Sequence, residues 1–182
     1  MHALTDNALM LKVKSGDLDK LGLLYERHKK RLFGFFYNMN HNAALSEDMV
    51  QNVFVRMLKY KHTFTGEGSF SAWMFRAARN VSHDHFRKTT PMRNSEDIDN
   101  IDYKLCADQD QSSGMDDSIS MLRNAMNKLP LEKREVLLMS KYRGLKFSEI
   151  GELLGCSEGA AKVKAHRALK DLKEIFNQLE KR

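Results

Sequence analysis

Hydrophobic positions recur at helical spacing along most of the chain, and no segment shows the alternation typical of a half-buried strand. We therefore expect an all-α fold. The pattern predicts an N-terminal group of helices over about residues 5–13, 18–39, 46–58 and 69–88. It predicts a C-terminal group over about 118–128 and 132–142, followed by two helices after Gly144.

The third of these helices has the clearest predicted start. Ser46 is placed as its N-cap, and Glu47 and Asp48 follow in the first turn, where the helix dipole favours anions. The buried face should then comprise Met49, Val50, Val53, Phe54, Met57 and Leu58.

Between the two groups, residues 89–117 carry polar side chains in place of periodic apolar ones. Residues 94–118 hold eight acidic side chains against Lys104 alone, a local charge of −7. Because the whole chain has a net charge of +6, the remaining residues together carry +13. These features predict two small helical domains, residues 10–88 and 118–176, joined by a flexible acidic linker. Two basic domains favour a polyanionic partner.

The last third of the chain carries a helix-turn-helix pattern. Ile150, Gly151 and Leu154 fall on a first helix, which breaks at Gly155, and Ser157 is a predicted N-cap for a second. The second helix has an inward row of Ala161, Ala165, Ala168 and Leu172, and it carries Lys162, His166, Arg167 and Lys170 on or beside the opposite face. This arrangement is typical of a helix that enters the DNA major groove, although a bare helical hairpin would have the same core periodicity.

A second basic surface is predicted on the fourth helix. Its cations recur at positions that form one stripe, namely Arg76, Arg79, His83 and Arg87, and the aromatic residues nearby are Phe64, Phe70, Trp73 and Phe75. Charge beside flat aromatic surface suits opened nucleic acid. The alternative is that the aromatic side chains form the core and the cations a solvated face.

Catalytic and metal-binding patterns are weak by comparison. His83 and His85 lie two apart on a helix and so point to different faces, and we identify neither a nucleophile arrangement nor a glycine-rich phosphate loop. Cys106 and Cys156 do not form a disulfide framework, and the N-terminus resembles no signal peptide. We expect a cytoplasmic protein that is not an enzyme, needs no metal or cofactor and does not insert into membranes.

Three segments together resemble the extracytoplasmic-function (ECF) group of RNA polymerase sigma factors, within the sigma-70 family. They are SEDMVQNVFVRMLKY (46–60), FTGEGSFSAWMFRAARNVSHDHFRK (64–88) and LPLEKREVLLMSKYRGLKFSEIGELLGCSEGAAKVKAHRALKDL (129–172). They resemble the family's core-binding helix, its promoter-melting segment and its region 4, in that order. The resemblance covers roughly residues 10–175.

The resemblance implies partners for the first domain, which would correspond to sigma region 2. Core RNA polymerase would dock its clamp coiled coil on Asp48, Gln51, Asn52 and Val55, although an ordinary solvated helix face would look the same. A flipped base of the promoter minus-10 element would enter a pocket lined by Arg56, Tyr60, Phe64, Ala77 and Asn80. Arg76 and Arg79 would hold phosphates of the opened duplex.

For the second domain, corresponding to region 4, the resemblance implies recognition of the minus-35 element. The contacting residues would be Lys162, His166 and Arg167, flanked by Lys164. The chain departs from the family in having Gly159-Ala160-Ala161 where Gly-Thr-Val is common, and Val163 where a small polar residue is common. Loss of the threonine hydroxyl removes a possible phosphate contact, and with these departures base preference does not transfer from relatives.

The resemblance predicts a function in promoter-specific transcription initiation, with promoter DNA and core RNA polymerase as partners and an anti-sigma factor as a possible further one. It also implies that the linker threads through a polymerase channel, whereas the plainer interpretation is a solubilising tether. Two other functions remain open from the residues alone. One is a free-standing helix-turn-helix regulator acting without polymerase, and the other is a nucleic-acid-processing enzyme, which would need clustered carboxylates near the basic surface.

Overall fold

The computed structural model describes residues 4–89, 117–142 and 144–181, and these residues form helices joined by short turns, with no strand among them. Residues 90–116, which make up nearly all of the predicted linker 89–117 and include Cys106, lie outside the described residues. The helices are α1 (Asp6–Lys14), α2 (Asp19–Asn40), α3 (Ala43–Lys59), α4 (Phe70–Thr89), α5 (Asp117–Lys128), α6 (Leu131–Lys141), α7 (Phe147–Leu154) and α8 (Glu158–Glu180), with a short 3-10 turn at Lys61–Thr63. The expected all-α fold is confirmed.

The predicted start of the third helix is wrong. Helix α3 begins at Ala43 and its N-cap is Asn42, whose side chain accepts from the Leu45 N–H at 2.9 Å. The chain turns from α2 into α3 in two residues because His41 adopts the left-handed conformation, with φ at 54°. Ser46 is therefore buried inside the helix, where its hydroxyl donates to the Asn42 carbonyl at 2.6 Å.

Helices α1 to α4 form an N-terminal lobe around a core rich in aromatic and methionine side chains. The members that are almost fully buried are Leu24, Leu32, Phe36, Met39, Met57, Phe64, Phe70, Met74 and Phe75. Leu58, which we expected in this core, lies at its edge and is 37% exposed, because the neighbouring Met57 takes the inward position.

Helices α5 to α8 form a C-terminal lobe in which α8 is the central element, packed against α5, α6 and α7. The predicted inward row of α8 is confirmed, since Ala161, Ala165, Ala168 and Leu172 are all buried. Three alanines in this row let the neighbouring helices approach closely.

The two lobes also pack against each other, mainly through α2 against α6 and α4 against α7. The Phe75 and Tyr142 rings meet edge to face with centroids 4.3 Å apart. The ring of buried His28 lies between two partners. Its Nδ1 is 3.1 Å from the Tyr142 hydroxyl, and its Nε2 is 2.7 Å from the Asp6 carboxylate. Burial raises the pKa of Tyr142 to about 12, so its hydroxyl stays neutral at this contact. One hydrophobic core thus spans both lobes.

Candidate nucleic-acid interface

The turn between α7 and α8 depends on two glycines. Gly155 ends α7 in the left-handed conformation, with φ at 66°, which glycine adopts without strain. At Gly151 a Cβ atom would lie 2.7 Å from the Cys156 carbonyl oxygen, so only glycine lets the turn fold back this closely on α7. The predicted cap is confirmed, because the Ser157 hydroxyl accepts from the Ala160 N–H at 3.1 Å. The sequence signature therefore corresponds to a formed helix-turn-helix.

The N-terminal half of α8 presents basic side chains on its outer surface. Lys162, Lys164, His166 and Arg167 are all exposed, while the alanine row between them is buried. Lys162 pairs with Glu158 one turn earlier, at 2.6 Å. Val163, one of the departures from the family pattern, lies on the same surface and is 48% exposed. This segment therefore presents four nitrogen-bearing side chains and the apolar Val163 on a surface that a duplex can approach.

The predicted pocket residues of the N-terminal lobe fall into two groups. Tyr60 and Asn80 are exposed, while Ala77 and Arg56 are partly buried beside the seam between α3 and α4. The Arg56 guanidinium donates to Asp84 across that seam. This hydrogen bond holds the pKa of Asp84 below its usual range, so the Asp84 carboxylate is ionised near neutral pH.

Phe64, predicted as one wall of that pocket, lies in the core of the N-terminal lobe. Its side chain is 2% exposed and packs edge to face on Trp73, at 5.2 Å, and on Phe70, at 6.4 Å. Phe75 is also fully buried, so most of the aromatic cluster belongs to the core, as the alternative interpretation had it.

The cationic stripe on α4 is partly covered by the C-terminal lobe. Arg76 is exposed, but Arg79 donates to the Glu135 carboxylate, with Nε 2.8 Å from Oε1 and Nη2 3.3 Å from Oε2. Arg79 also donates to the Leu153 carbonyl of α7. In this arrangement, Arg79 is unavailable to a phosphate.

Glu135 is the buried acceptor of this contact and is 5% exposed. Burial alone would raise the pKa of Glu135, but hydrogen bonds from His83 and Arg79 bring that pKa below its usual value. The carboxylate is therefore ionised and paired. Helical periodicity did not identify it, because a Glu flanked by Arg134 and Val136 resembles an ordinary surface position.

A second buried polar group joins the lobes at the end of α2. Arg134 donates to the Met39 carbonyl at 2.9 Å and to the Asn127 carbonyl at 2.8 Å. Burial lowers the pKa of His41 to about 4, helped by the nearby positive charges of Arg134 and Arg123. His41 is therefore neutral beside two arginines at neutral pH.

The outer face of α3 lies away from both of these contacts. Asp48, Gln51, Asn52 and Val55 are all exposed, and Val55 reaches 63%. The structure thus brings these four residues onto one accessible surface.

Groups of acidic, histidine and cysteine side chains able to hold a metal ion are absent from the described ranges. Within those same ranges, the helices are too short or too polar to cross a bilayer.

The same division into two lobes appears in comparisons with known families. The family model described as Sigma-70 region 2 matches residues 24–91, and the one described as Sigma-70, region 4 matches residues 119–172. The first match contains α3 and α4, and the second contains the helix-turn-helix.

Two curated relatives match this chain over nearly their whole length. The RNA polymerase sigma factor CarQ of Myxococcus xanthus is 31% identical over 94% of this chain and 97% of its own. The ECF RNA polymerase sigma factor SigF of Caulobacter vibrioides is 31% identical over 92% of this chain and 91% of its own.

Among solved structures, CnrH in complex with the cytosolic domain of CnrY shares the fold. It has a TM-score of 0.73 and 22% identity, over 95% of this chain and 97% of that one. Two family models in the expected order, with full-length relatives, lead to one assignment: the chain belongs to the sigma-70 family of RNA polymerase sigma factors, in its ECF group.

Proposed function

We propose that this sigma factor, which directs transcription initiation by RNA polymerase, holds a promoter at two separate points, one on each lobe. Residues 118–176 would bind the minus-35 element, and residues 10–88 would bind core polymerase and open the minus-10 element. The observation that carries this proposal is the exposed basic surface of α8, formed by Lys162, Lys164, His166 and Arg167 on a helix-turn-helix. A free-standing regulator would not account for the region 2 lobe.

At the minus-35 element, α8 would lie in the major groove. Arg167 suits a bidentate contact with a guanine edge, and Lys162, Lys164 and His166 suit phosphate or base contacts. The Lys162–Glu158 pair is solvent-exposed, so exchanging Glu158 for a phosphate costs little. The apolar side chain of Val163 suits a contact with a thymine methyl group.

At the minus-10 element, the surface beside the α3–α4 seam would hold an extruded base. The Asn80 amide can donate to and accept from a base edge, and the exposed Tyr60 ring can stack on the base. The small Ala77 side chain leaves space for the base at the bottom of this site, and Asp84 holds Arg56 at the edge of the site. Phe64 contributes from beneath, because it supports Trp73 and the start of α4.

Phosphates of the opened strands would bind Arg76 and Arg79. Arg76 is exposed, whereas Arg79 must first leave Glu135 and the Leu153 carbonyl. The two lobes would therefore separate when the protein binds polymerase and promoter. Polymerase contact through Asp48, Gln51, Asn52 and Val55 does not compete with the lobe interface, because that surface lies outside it.

The proposal includes a cytoplasmic location, where core polymerase and DNA are found, and no catalytic activity, metal or cofactor of the chain's own. It also includes an anti-sigma protein as a partner. The relative CnrH was solved with the cytosolic domain of a second protein, CnrY, bound to it.

Run-off transcription with purified bacterial core polymerase on a genomic fragment library tests the function directly. We expect start sites that core polymerase alone does not use, each preceded by two shared sequence elements at a fixed spacing. Transcription unchanged from that of core polymerase alone would overturn the proposal.

A further inference from the structure

Helix α1 contacts the backbone of the loop between α3 and α4, residues 60–69, which borders the proposed base site. This helix precedes the segment matched by the region 2 model. Asn7, Leu11 and Lys14 stand one or two turns apart, so all three lie on one face of α1. That face meets the loop.

The amide of Asn7 bonds to the loop through both of its ends. Its Nδ2 donates to the Gly66 carbonyl at 3.2 Å and to the Gly68 carbonyl at 2.8 Å. Its Oδ1 accepts from the N–H of Phe70, the first residue of α4, at 2.8 Å. A single side chain thus satisfies three backbone groups some sixty residues away, in a segment without a regular hydrogen-bond pattern of its own.

Two further contacts fix the same loop. Lys14 donates to the Phe64 carbonyl at 2.6 Å. The Leu11 side chain would lie 3.3 Å from a Cβ atom at Gly66, where φ is 83°. Glycine at this position both adopts the left-handed backbone and leaves space for Leu11.

The loop sets the positions of the groups on either side of the proposed base site. It begins at Tyr60, at the end of α3, and it leads into α4, which carries Ala77 and Asn80. Loops with positive-φ glycines have many accessible conformations unless other groups hold them. A displaced loop would move the Tyr60 ring relative to the Asn80 amide.

We propose that Asn7 is a positioning residue for minus-10 recognition: it holds the α3–α4 loop so that Tyr60 and Asn80 face one extruded base. This inference rests on the proposed function. Asn7 itself contacts no DNA, and it acts through the Gly66 and Gly68 carbonyls and the Phe70 N–H.

The test compares Asn7→Ala with Thr5→Ala in run-off transcription with core polymerase. The Thr5 hydroxyl caps α1 by accepting from the Ala8 N–H at 3.2 Å, so its loss loosens the same helix without removing a loop contact. Templates are a promoter selected from the genomic library and its single-base substitutions across the minus-10 element. The readout is the ratio of transcripts from original and substituted templates.

We expect Asn7→Ala to lower this ratio by about tenfold at the base that the site holds, because small misplacements of recognition groups have large effects. Thr5→Ala should keep the ratio of the wild-type protein. Binding to core polymerase and to a minus-35 duplex should stay within about twofold for both variants, since neither variant removes a direct contact with those partners.

Two additional variants keep the inference testable if Asn7→Ala folds poorly. Asn7→Asp retains an oxygen acceptor for the Phe70 N–H but loses both donors to the glycine carbonyls. Lys14→Met removes the donor to Phe64. Both should lower the minus-10 ratio in the same direction.

The inference is overturned if Asn7→Ala, Asn7→Asp and Lys14→Met reduce transcription equally from every template and keep the wild-type ratio. Asn7 would then only stabilise the fold. A wild-type protein that itself shows no minus-10 preference would instead contradict the proposed function. The two failures are therefore distinguishable.

Discussion

Asn80 and Arg167 would each read a base, and they lie in different lobes. Asn80 is exposed on α4 beside the α3–α4 seam, and Arg167 is exposed on the outer surface of α8. They share no partner, so the effects of their substitution should be independent. This separation allows binding and opening to be tested by single residues.

We expect Arg167→Ala to weaken binding to a minus-35 duplex by about 1–3 kcal/mol, the usual cost of losing a bidentate base contact. Lys173→Ala, which removes a cation further along α8, should cost much less. Duplex binding by titration and promoter opening by permanganate reactivity of unpaired thymines measure the two steps separately.

For Asn80→Ala we expect the reverse pattern. The minus-35 affinity should be unchanged, while permanganate reactivity at saturating holoenzyme falls, because the extruded base loses a hydrogen-bonding partner. Equal losses in both steps for Arg167→Ala and Asn80→Ala would refute the assignment of roles.

Residue-level prediction from sequence succeeded where side chains follow helical periodicity and failed where a charged group is buried. The inward alanines of α8 and its outward cations were placed correctly. Arg134 and Glu135 were not recognised as interface residues, because periodicity treats a charge as solvent-facing. The partners that make their burial tolerable, Met39 and Arg79, belong to the other lobe.

At the scale of elements, the orientation of α8 depends on how closely the turn approaches α7. Gly151 is the point of closest approach, so a side chain there would push against the carbonyl of Cys156 and the backbone of Ser157. Backbone atoms cannot swing aside as a flexible side chain does. The helix-turn-helix geometry therefore depends on this residue.

We expect Gly151→Ala to lower the free energy of unfolding by about 1–3 kcal/mol, as overpacked positions usually do, and to weaken minus-35 binding. Gly22→Ala is the matched control, because a Cβ at Gly22 in α2 meets nothing within 4 Å. That control should be neutral or stabilising by up to about 1 kcal/mol. Denaturant unfolding measures both variants, and a neutral Gly151→Ala would show that the turn tolerates displacement.

Element boundaries were largely predictable, since Gly155 and Ser157 carry local signals for the end of α7 and the start of α8. The start of α3 was not, because Asn42 and Ser46 are both good caps. The choice depends on the left-handed turn at His41, which local preference did not indicate. The contact of α1 with the α3–α4 loop was equally hidden, since Asn7 carries no sign of its distant partners.

At the scale of the whole molecule, the structure is a closed form in which the lobes share a core. Glu135 is central to it because it binds Arg79 and approaches His83 of the opposite lobe at 3.6 Å. The same Arg79 is assigned to promoter phosphates. If the proposed function is right, closure of the lobes and promoter binding would therefore compete for the Arg79 guanidinium.

We expect Glu135→Gln to open the free protein, because an uncharged amide leaves the partly buried Arg79 without a compensating charge. Glu132→Gln, which neutralises an exposed acid one turn earlier on α6, should leave the protein closed. Small-angle scattering should report a larger radius of gyration for Glu135→Gln alone. An unchanged radius in that variant would show that apolar contacts such as Phe75 with Tyr142 suffice for closure.

The central claim, that one polymerase-bound chain holds a promoter at two points, is tested most directly by changing the distance between the two elements. Transcription by holoenzyme is measured on templates in which the spacer is lengthened one base pair at a time. We expect a narrow optimum and near-complete loss after about five added base pairs, which turn the minus-35 element to the far side of the duplex. Transcription that is indifferent to spacer length would contradict the account.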